Sequence, residues 1–326
     1  MEIKKRALIT GVSGFVGKYL IGKLYEENYE IFGTTLSGDL YDDPRVTKLH
    51  LDLTDYYSTN KIIGEIEPDE IYHLASQSSV KISWEKPQFT TEVNSIGTIN
   101  LLESVKEHCP KTKVLLVGSS EEYGETFKIN KQPTEEEKCF PNNMYAITKY
   151  TQSLIGKMYV KAYHLNIIMT RSFNHVGPEQ SPQFVISDFC KQVAEIELLE
   201  SNPIIYVGNL ESARDFLDVR DVVNAYYELL KEGTVGEIYN VGSGKSYKIS
   251  ELLNKIISFS NLDIIVKIDK NKFRPVEIEE TSAEISKIIS DTKWRPQYNL
   301  EETILNTLNF WRKKVIEKQM KLNRKL

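Results

Sequence analysis

Gly11-Val12-Ser13-Gly14-Phe15-Val16-Gly17 decides the fold. The apolar run Ala7-Leu8-Ile9-Thr10 in front of it reads as a strand. Behind it Val16, Leu20 and Leu24 recur at i, i+4 and i+8, the spacing of a helix face. Glycines at such a junction permit a tight turn, let the backbone approach a pyrophosphate, and allow the helix to pack close to the strand. The helix N-terminus adds free N–H groups and partial positive charge. A glycine triplet alone is an ordinary turn; between a strand and a helix it predicts a dinucleotide loop formed by Gly11, Ser13, Gly14, Phe15, Val16 and Gly17.

Outward from this loop, short apolar runs over 30–35, 47–52, 70–74 and 113–118 read as further strands in a βαβ rhythm, which implies a parallel sheet. A helix over 145–163 leads to a sixth strand over 167–170. After Arg171 the rhythm breaks. Residues 172–182, rich in Asn, Gly and Pro, read as a loop, followed by a helix over 185–199, a helix over 221–231 and a strand over 238–241. Ser250 is expected to cap a helix carrying Leu252, Leu253, Ile256 and Ile257. A last helix covers 300–314, and the charged residues 317–326 are expected to fray. The fold class is α/β: a Rossmann doubly wound parallel sheet with a smaller α/β substrate-binding domain. The expected division is 1–172 plus 214–243 for the NAD(P)-binding part, 173–213 plus 244–316 for the substrate part, and 317–326 as a tail.

A chain of 326 residues with 40% hydrophobic and 27% charged residues is ordinary globular composition. A net charge of −5 gives no general attraction to nucleic acid or anionic membrane, so an anionic substrate needs locally placed arginines. Cys109, Cys139 and Cys190 form no Cys-x-x-Cys pair and suggest neither disulfides nor zinc. His73 and His175 lack a third ligand at useful spacing, so no metal is expected. With no signal peptide and no membrane-spanning run, a cytoplasmic location is expected.

Tyr145-Ala146-Ile147-Thr148-Lys149 places a phenol and an ammonium at i and i+4 on one helix face. A free phenol has a pKa of about 10 and exchanges protons poorly at neutral pH. A neighbouring cation is expected to lower it toward working pH. Many helices carry this pair by chance; its place after the fifth strand of a glycine-loop sheet marks Tyr145 and Lys149 as catalytic. That strand ends in Gly118-Ser119-Ser120-Glu121-Glu122-Tyr123-Gly124, at the sheet end where such folds bind ligands.

These motifs resemble the extended short-chain dehydrogenase/reductase family, also called the NAD-dependent epimerase/dehydratase family. The G-x-x-G-x-x-G spacing is part of the likeness, which covers roughly residues 5 to 312. The resemblance implies that Ser119 hydrogen-bonds the substrate oxygen and that Asp52-Leu53 meets the adenine. It further implies that Leu74-Ala75 passes beside the cofactor and that Lys149 also holds the nicotinamide ribose. An NAD enzyme normally ends its second strand in Asp or Glu. Here Gly33-Thr34-Thr35-Leu36-Ser37 has hydroxyls and no acid, which favours NADP(H) over NAD(H), with Thr35 facing the 2′-phosphate and Asp39 as the residue that would reverse the preference.

The second half is similar to the GDP-mannose branch of that family. Arg171-Ser172-Phe173-Asn174-His175-Val176-Gly177-Pro178, Arg214-Asp215-Phe216 and Arg274-Pro275-Val276-Glu277 carry the likeness. It implies a GDP-sugar substrate bound by Asn174, Arg214, Arg274 and Glu277, and two arginines from separate segments suit a diphosphate. Ser119, where dehydratases usually have Thr, and Val176-Gly177-Pro178-Glu179-Gln180-Ser181, without their basic run, look more like the reductase than the dehydratase. The implied reaction is NAD(P)H-dependent reduction of GDP-4-dehydro-6-deoxy-D-mannose to GDP-D-rhamnose. Glu121 argues for the alternative, because it stands where 4,6-dehydratases keep the base that removes the C5 proton. A 4-epimerase and a non-catalytic dinucleotide sensor are further alternatives. The resemblance also implies a homodimer pairing through the Tyr145 helix, on which Ile147, Leu154, Met158 and Tyr163 offer apolar surface.

Overall fold

The computed structural model describes residues 4–36, 43–199, 202–273 and 278–323. In chain order its strands are β1 (Arg6–Thr10), β2 (Glu30–Thr35), β3 (Val46–His50), β4 (Glu70–His73), β5 (Lys113–Ser119), β6 (Asn166–Ser172), β7 (Asn174–Val176), β8 (Ile204–Val207), β9 (Ala213–Asp218), β10 (Ile238–Val241), β11 (Ser246–Lys248) and β12 (Ile265–Ile268). The α-helices are α1 (Phe15–Glu26), α2 (Tyr56–Ile66), α3 (Val80–Glu85), α4 (Pro87–Thr91), α5 (Gly97–His108), α6 (Met144–Tyr163), α7 (Val185–Leu199), α8 (Val219–Glu232), α9 (Ile249–Ser258), α10 (Ser286–Thr292) and α11 (Leu300–Asn323).

Seven strands form the expected parallel sheet in the order β10-β6-β5-β4-β1-β2-β3. The chain first builds outward from β1 to β3, then returns to lay β4 against the other side of β1. The order therefore reverses between β1 and β4, and the crevice at their carboxyl ends is where such sheets bind ligands. Burial on both faces explains the near-continuous apolar strands. Along β1, Ala7 and Ile9 join the core formed with α1 and α8, while Leu8 joins the core formed with α2, α5 and α6.

A third core lies outside the sheet. There α7, α9 and α11 bury Phe189, Val193, Leu253, Ile304 and Leu308 against Ile205 of β8 and Phe216 of β9. Beside it runs a three-stranded sheet, β11-β9-β7, and a two-stranded one, β12-β8.

Several local readings change. The span 172–182 contains strand β7, paired in parallel with β9. Ser250 does not cap α9: Lys248 is the N-cap, because β11 runs straight into the helix and Ser250 N–H bonds Leu210 O instead. The last helix continues through Asn323 instead of ending near 314. Val315 is buried against α7 and Gln319 Nε2 donates to Leu198 O at 3.0 Å, so a charged sequence stays helical by packing one apolar stripe.

Candidate active site

The glycine loop sits at the switch point. Gly11 has φ +71°, and a Cβ there would stand 2.9 Å from Ala75 Cα, so only glycine lets the loop touch the segment after β4. A Cβ on Gly17 would lie 2.4 Å from Val12 O, which fixes the close approach of α1 to its strand. The N-cap of α1, Gly14, makes no side-chain capping bond, leaving the first-turn N–H groups to a ligand. This cradle fits a dinucleotide pyrophosphate.

Ser13 Oγ and Thr35 Oγ1 are 3.2 Å apart, joining the loop to the end of β2. Phe15 stacks on His175, ring centroids 5.9 Å apart, and Val16 packs on the core. Asp52 is exposed and accepts from Thr54 N–H and Oγ1, whereas Leu53 is buried and its carbonyl is held by Asn100. Leu74 and Ala75 follow β4, half-buried, with Ala75 N–H donating to Thr10 Oγ1 at 3.2 Å.

Four side chains bring the opposite wall together. Ser119, at the end of β5, caps the 3₁₀ turn Ser120–Tyr123 by accepting from Glu121 N–H. Asn143 caps α6, its Oδ1 accepting from Ala146 N–H at 2.9 Å, a bond worth about 1 kcal/mol. Two residues into that helix the buried Tyr145 phenol lies beside Ser119. Lys149, one turn on, is fully enclosed and donates to Val117 O at 2.7 Å and Gln152 Oε1 at 3.1 Å.

The expected acidified phenol is not what the geometry gives. Burial pushes the Tyr145 phenol above the ordinary tyrosine value; the Ser119 hydroxyl opposes this, and the carboxylates of Glu121 and Glu122 reinforce it. The ammonium of Lys149 is itself lowered to about 8 by burial, partly offset by Glu122. Its bonds to Val117 and Gln152 anchor it to β5 and α6. The resting phenol is therefore a proton donor.

Glu121 is half-buried and accepts from Asn143 Nδ2 at 3.1 Å. Asn174 and Arg214 come together on the small sheet: Asn174 pairs with Phe216 of β9, and its Nδ2 donates to Asp215 O at 3.1 Å. Arg214 lies on the same strand, its guanidinium bonded to Ala213 O and Glu279 O. Arg274 and Glu277, like Asp39, fall outside the described residues.

Three features escaped sequence reasoning. Asp215 is wholly buried and accepts from Ser243 N–H and Oγ, Gly244 N–H and Ala283 N–H, fixing the strand that carries Arg214. Asn94, on a π-turn of the kind frequent at functional sites, bonds Gln77 at both its N–H and C=O and Thr148 of α6 at 3.0 Å. Glu122 is a fully buried carboxylate paired with Arg171. Polar residues inside a nucleotide-binding fold are the only sequence signal for these, and it does not say which of them the fold encloses.

His73 is buried and its ring lowered to about 3 by desolvation. Among the described residues no group of three His, Cys, Asp or Glu is arranged to hold a metal ion, and no helix is long and apolar enough to cross a membrane. On α6, Ile147, Leu154, Met158 and Tyr163 are all exposed.

Comparison with known proteins gives concordant likenesses. The family model described as GDP-mannose 4,6 dehydratase matches residues 8–307. A GDP-6-deoxy-D-mannose reductase of Pseudomonas aeruginosa is 29% identical, covering 96% of this chain and 99% of that protein. A GDP-mannose 4,6-dehydratase of Yersinia enterocolitica is 30% identical, covering 91% of each. The solved structure of RMD from Pseudomonas aeruginosa, complexed with NADPH, superposes with a TM-score of 0.83 at 28% identity, covering 95% of this chain and 100% of that one.

Proposed function

The chain belongs to the GDP-mannose 4,6-dehydratase family, and from that premise we propose that it is a reductase: it uses NAD(P)H to reduce the 4-keto group of GDP-4-dehydro-6-deoxy-D-mannose, giving GDP-D-rhamnose. The observation that carries this reading is the enclosed Tyr145 phenol beside Ser119, one helical turn before the buried Lys149. Reduction of a ketone leaves an alkoxide that needs a proton, and a phenol raised by burial still donates to that far stronger base.

The roles follow from position. The loop from Gly11 to Gly17 and the first turn of α1 hold the pyrophosphate, Asp52 and Leu53 border the adenine, and Leu74 and Ala75 flank the dinucleotide. Bound in this cradle, the nicotinamide supplies the hydride. Ser119 orients and polarises the C4 carbonyl, and Tyr145 delivers the proton to its oxygen. Lys149 makes two bonds with three N–H donors, which leaves one for the nicotinamide ribose. Asn174 and Arg214 face the sugar diphosphate, and the family resemblance assigns Arg274 and Glu277 to the same substrate. General acid catalysis of this kind contributes ~10²- to 10⁴-fold.

Thr34 and Thr35 at the end of β2 put hydroxyls where a carboxylate would repel a 2′-phosphate, which supports NADP(H) over NAD(H). The exposed stripe of Ile147, Leu154, Met158 and Tyr163 on α6 supports a homodimer. The reading carries a cytoplasmic location and the domain division given above. Cofactor stoichiometry tests it: the reductase oxidises one NADPH per 4-keto sugar and leaves GDP-mannose untouched. Conversion of GDP-mannose with no net change in cofactor would establish the dehydratase instead.

A further inference from the structure

Glu122 is fully buried, yet it is an acid. An isolated carboxylate in such a place costs several kcal/mol, so its partners must compensate. They come from three elements. Ser119 N–H at the end of β5 donates to Oε1 at 3.0 Å. Ser153 Oγ of α6 donates to Oε2 at 2.9 Å. Arg171 Nε of β6 donates to the same oxygen at 3.2 Å. Gly118 makes room for this arrangement, since a Cβ there would lie 2.3 Å from Glu122 Oε1.

Each partner has a second connection. Ser153 stands four residues beyond Lys149 and eight beyond Tyr145, on the same stripe of α6. Arg171, only 3% exposed, lies over the Tyr123 ring at 4.5 Å and donates to Glu135 O at 3.0 Å. It also begins the segment that carries Asn174 and His175. We propose that the Glu122–Arg171 ion pair is a positioning element of the reaction: the carboxylate holds Ser119 in register with the stripe of Tyr145 and Lys149, and the guanidinium ties that register to the substrate segment. This rests on the roles proposed above for Ser119, Tyr145 and Lys149.

The pair also sets charge at the site. Glu122 acts on the Lys149 ammonium and the Tyr145 phenol, favouring the protonated form of both. The other groups that face them are Glu121 and Tyr226 toward the phenol and neutral His73 toward the ammonium; Arg171 and Cys139 face Glu122 itself. Removing the carboxylate's charge lets Lys149 lose its proton at lower pH, so the alkaline limb of the rate profile moves toward acid.

Glu122→Gln keeps the shape and the acceptor for Ser119 N–H, and tests the proposal by kcat, KM and the pH profile with NADPH and the 4-keto GDP-sugar. The expected result is a kcat lowered ~10- to 100-fold, a KM for NADPH within about twofold of the parent, and an alkaline limb shifted about one unit toward acid. Parental kcat and pH profile, with only a lower melting temperature, would overturn it. Should Glu122→Gln fail to fold, Ser153→Ala serves: a kcat about threefold lower at unchanged melting supports the proposal, and a parental kcat overturns it. Tyr145→Phe run alongside separates the layers. An inactive Tyr145→Phe beside a parental Glu122→Gln overturns the pair's role alone; an active Tyr145→Phe overturns the proposed reaction and the pair's role with it.

Discussion

Asn143 Nδ2 donates to Glu121 Oε2 at 3.1 Å, while the same side chain caps the helix that carries Tyr145. Glu121 is thereby fastened to the N-terminus of α6. A dehydratase would use this carboxylate to take a proton from the sugar, whereas the proposed reductase asks no proton transfer of it. Glu121→Gln preserves the shape and one acceptor. We expect ketosugar reduction to stay within about fivefold of the parent, the factor that a half-buried hydrogen bond of about 1 kcal/mol is worth. A loss of two orders of magnitude would assign Glu121 to the chemistry.

Tyr145→Phe removes the proton donor and leaves the ring. Turnover should fall ~10²- to 10⁴-fold. NADPH binding, followed by fluorescence titration, should change little, because the proposed pyrophosphate site is the loop from Gly11 to Gly17, away from the phenol. Retained turnover would show that another group protonates the sugar oxygen.

Cofactor choice is testable at Thr35. It lies at the end of β2, within 3.2 Å of Ser13. Thr35→Asp places a carboxylate where a 2′-phosphate would sit and a 2′-hydroxyl would be welcomed. The ratio of kcat/KM for NADH over NADPH should rise by ~10-fold or more, the worth of one charge contact of about 1.4 kcal/mol. An unchanged ratio would place the 2′ position elsewhere.

His73 gives a stability prediction. Its Nδ1 lies 2.9 Å from Thr10 Oγ1 and its Nε2 3.2 Å from Thr98 Oγ1, and Thr98 donates to Asn94 O. Thr98 therefore accepts from Nε2–H, and the neutral ring fits. With the folded value lowered to about 3, the unfolded chain binds the extra proton between there and the ordinary imidazole range. Stability must rise with pH across that window, by up to about 1.4 kcal/mol per unit, and fall on acidification below about 6.5. Urea midpoints from pH 4.5 to 7 should show a shallower slope for His73→Gln than for the parent; equal slopes would contradict the buried neutral ring.

The parallel sheet was legible because its signals are local. Gly11 and Gly17 each answer a contact that a Cβ would violate, and β2, α7 and β10 fall where apolar period and turn residues place them. The helix carrying Tyr145 and Lys149 was likewise readable from one i, i+4 pair. What stayed hidden depends on distant partners. Asp215 of β9 gathers N–H groups from Ser243, Gly244 and Ala283, and no window of sequence contains that set. Glu122 reads as one more turn acid beside Glu121, and only the arrival of Arg171 and Ser153 separates a buried anchor from its half-exposed neighbour. The phenol expected to be acidified by Lys149 is raised by enclosure, because burial is a property of the fold and not of the pair.

In the proposed reaction a hydride reaches C4 of the sugar while Tyr145 protonates its oxygen. Reduction of the 4-keto GDP-sugar with NADPH deuterated at the transferring position, read by NMR of the product, tests it most directly. The expected result is one deuterium at C4 per NADPH oxidised, with this product formed ~10²- to 10⁴-fold more slowly by Tyr145→Phe. Product without deuterium at C4, or the 4-keto sugar formed from GDP-mannose at constant NADPH, would contradict it.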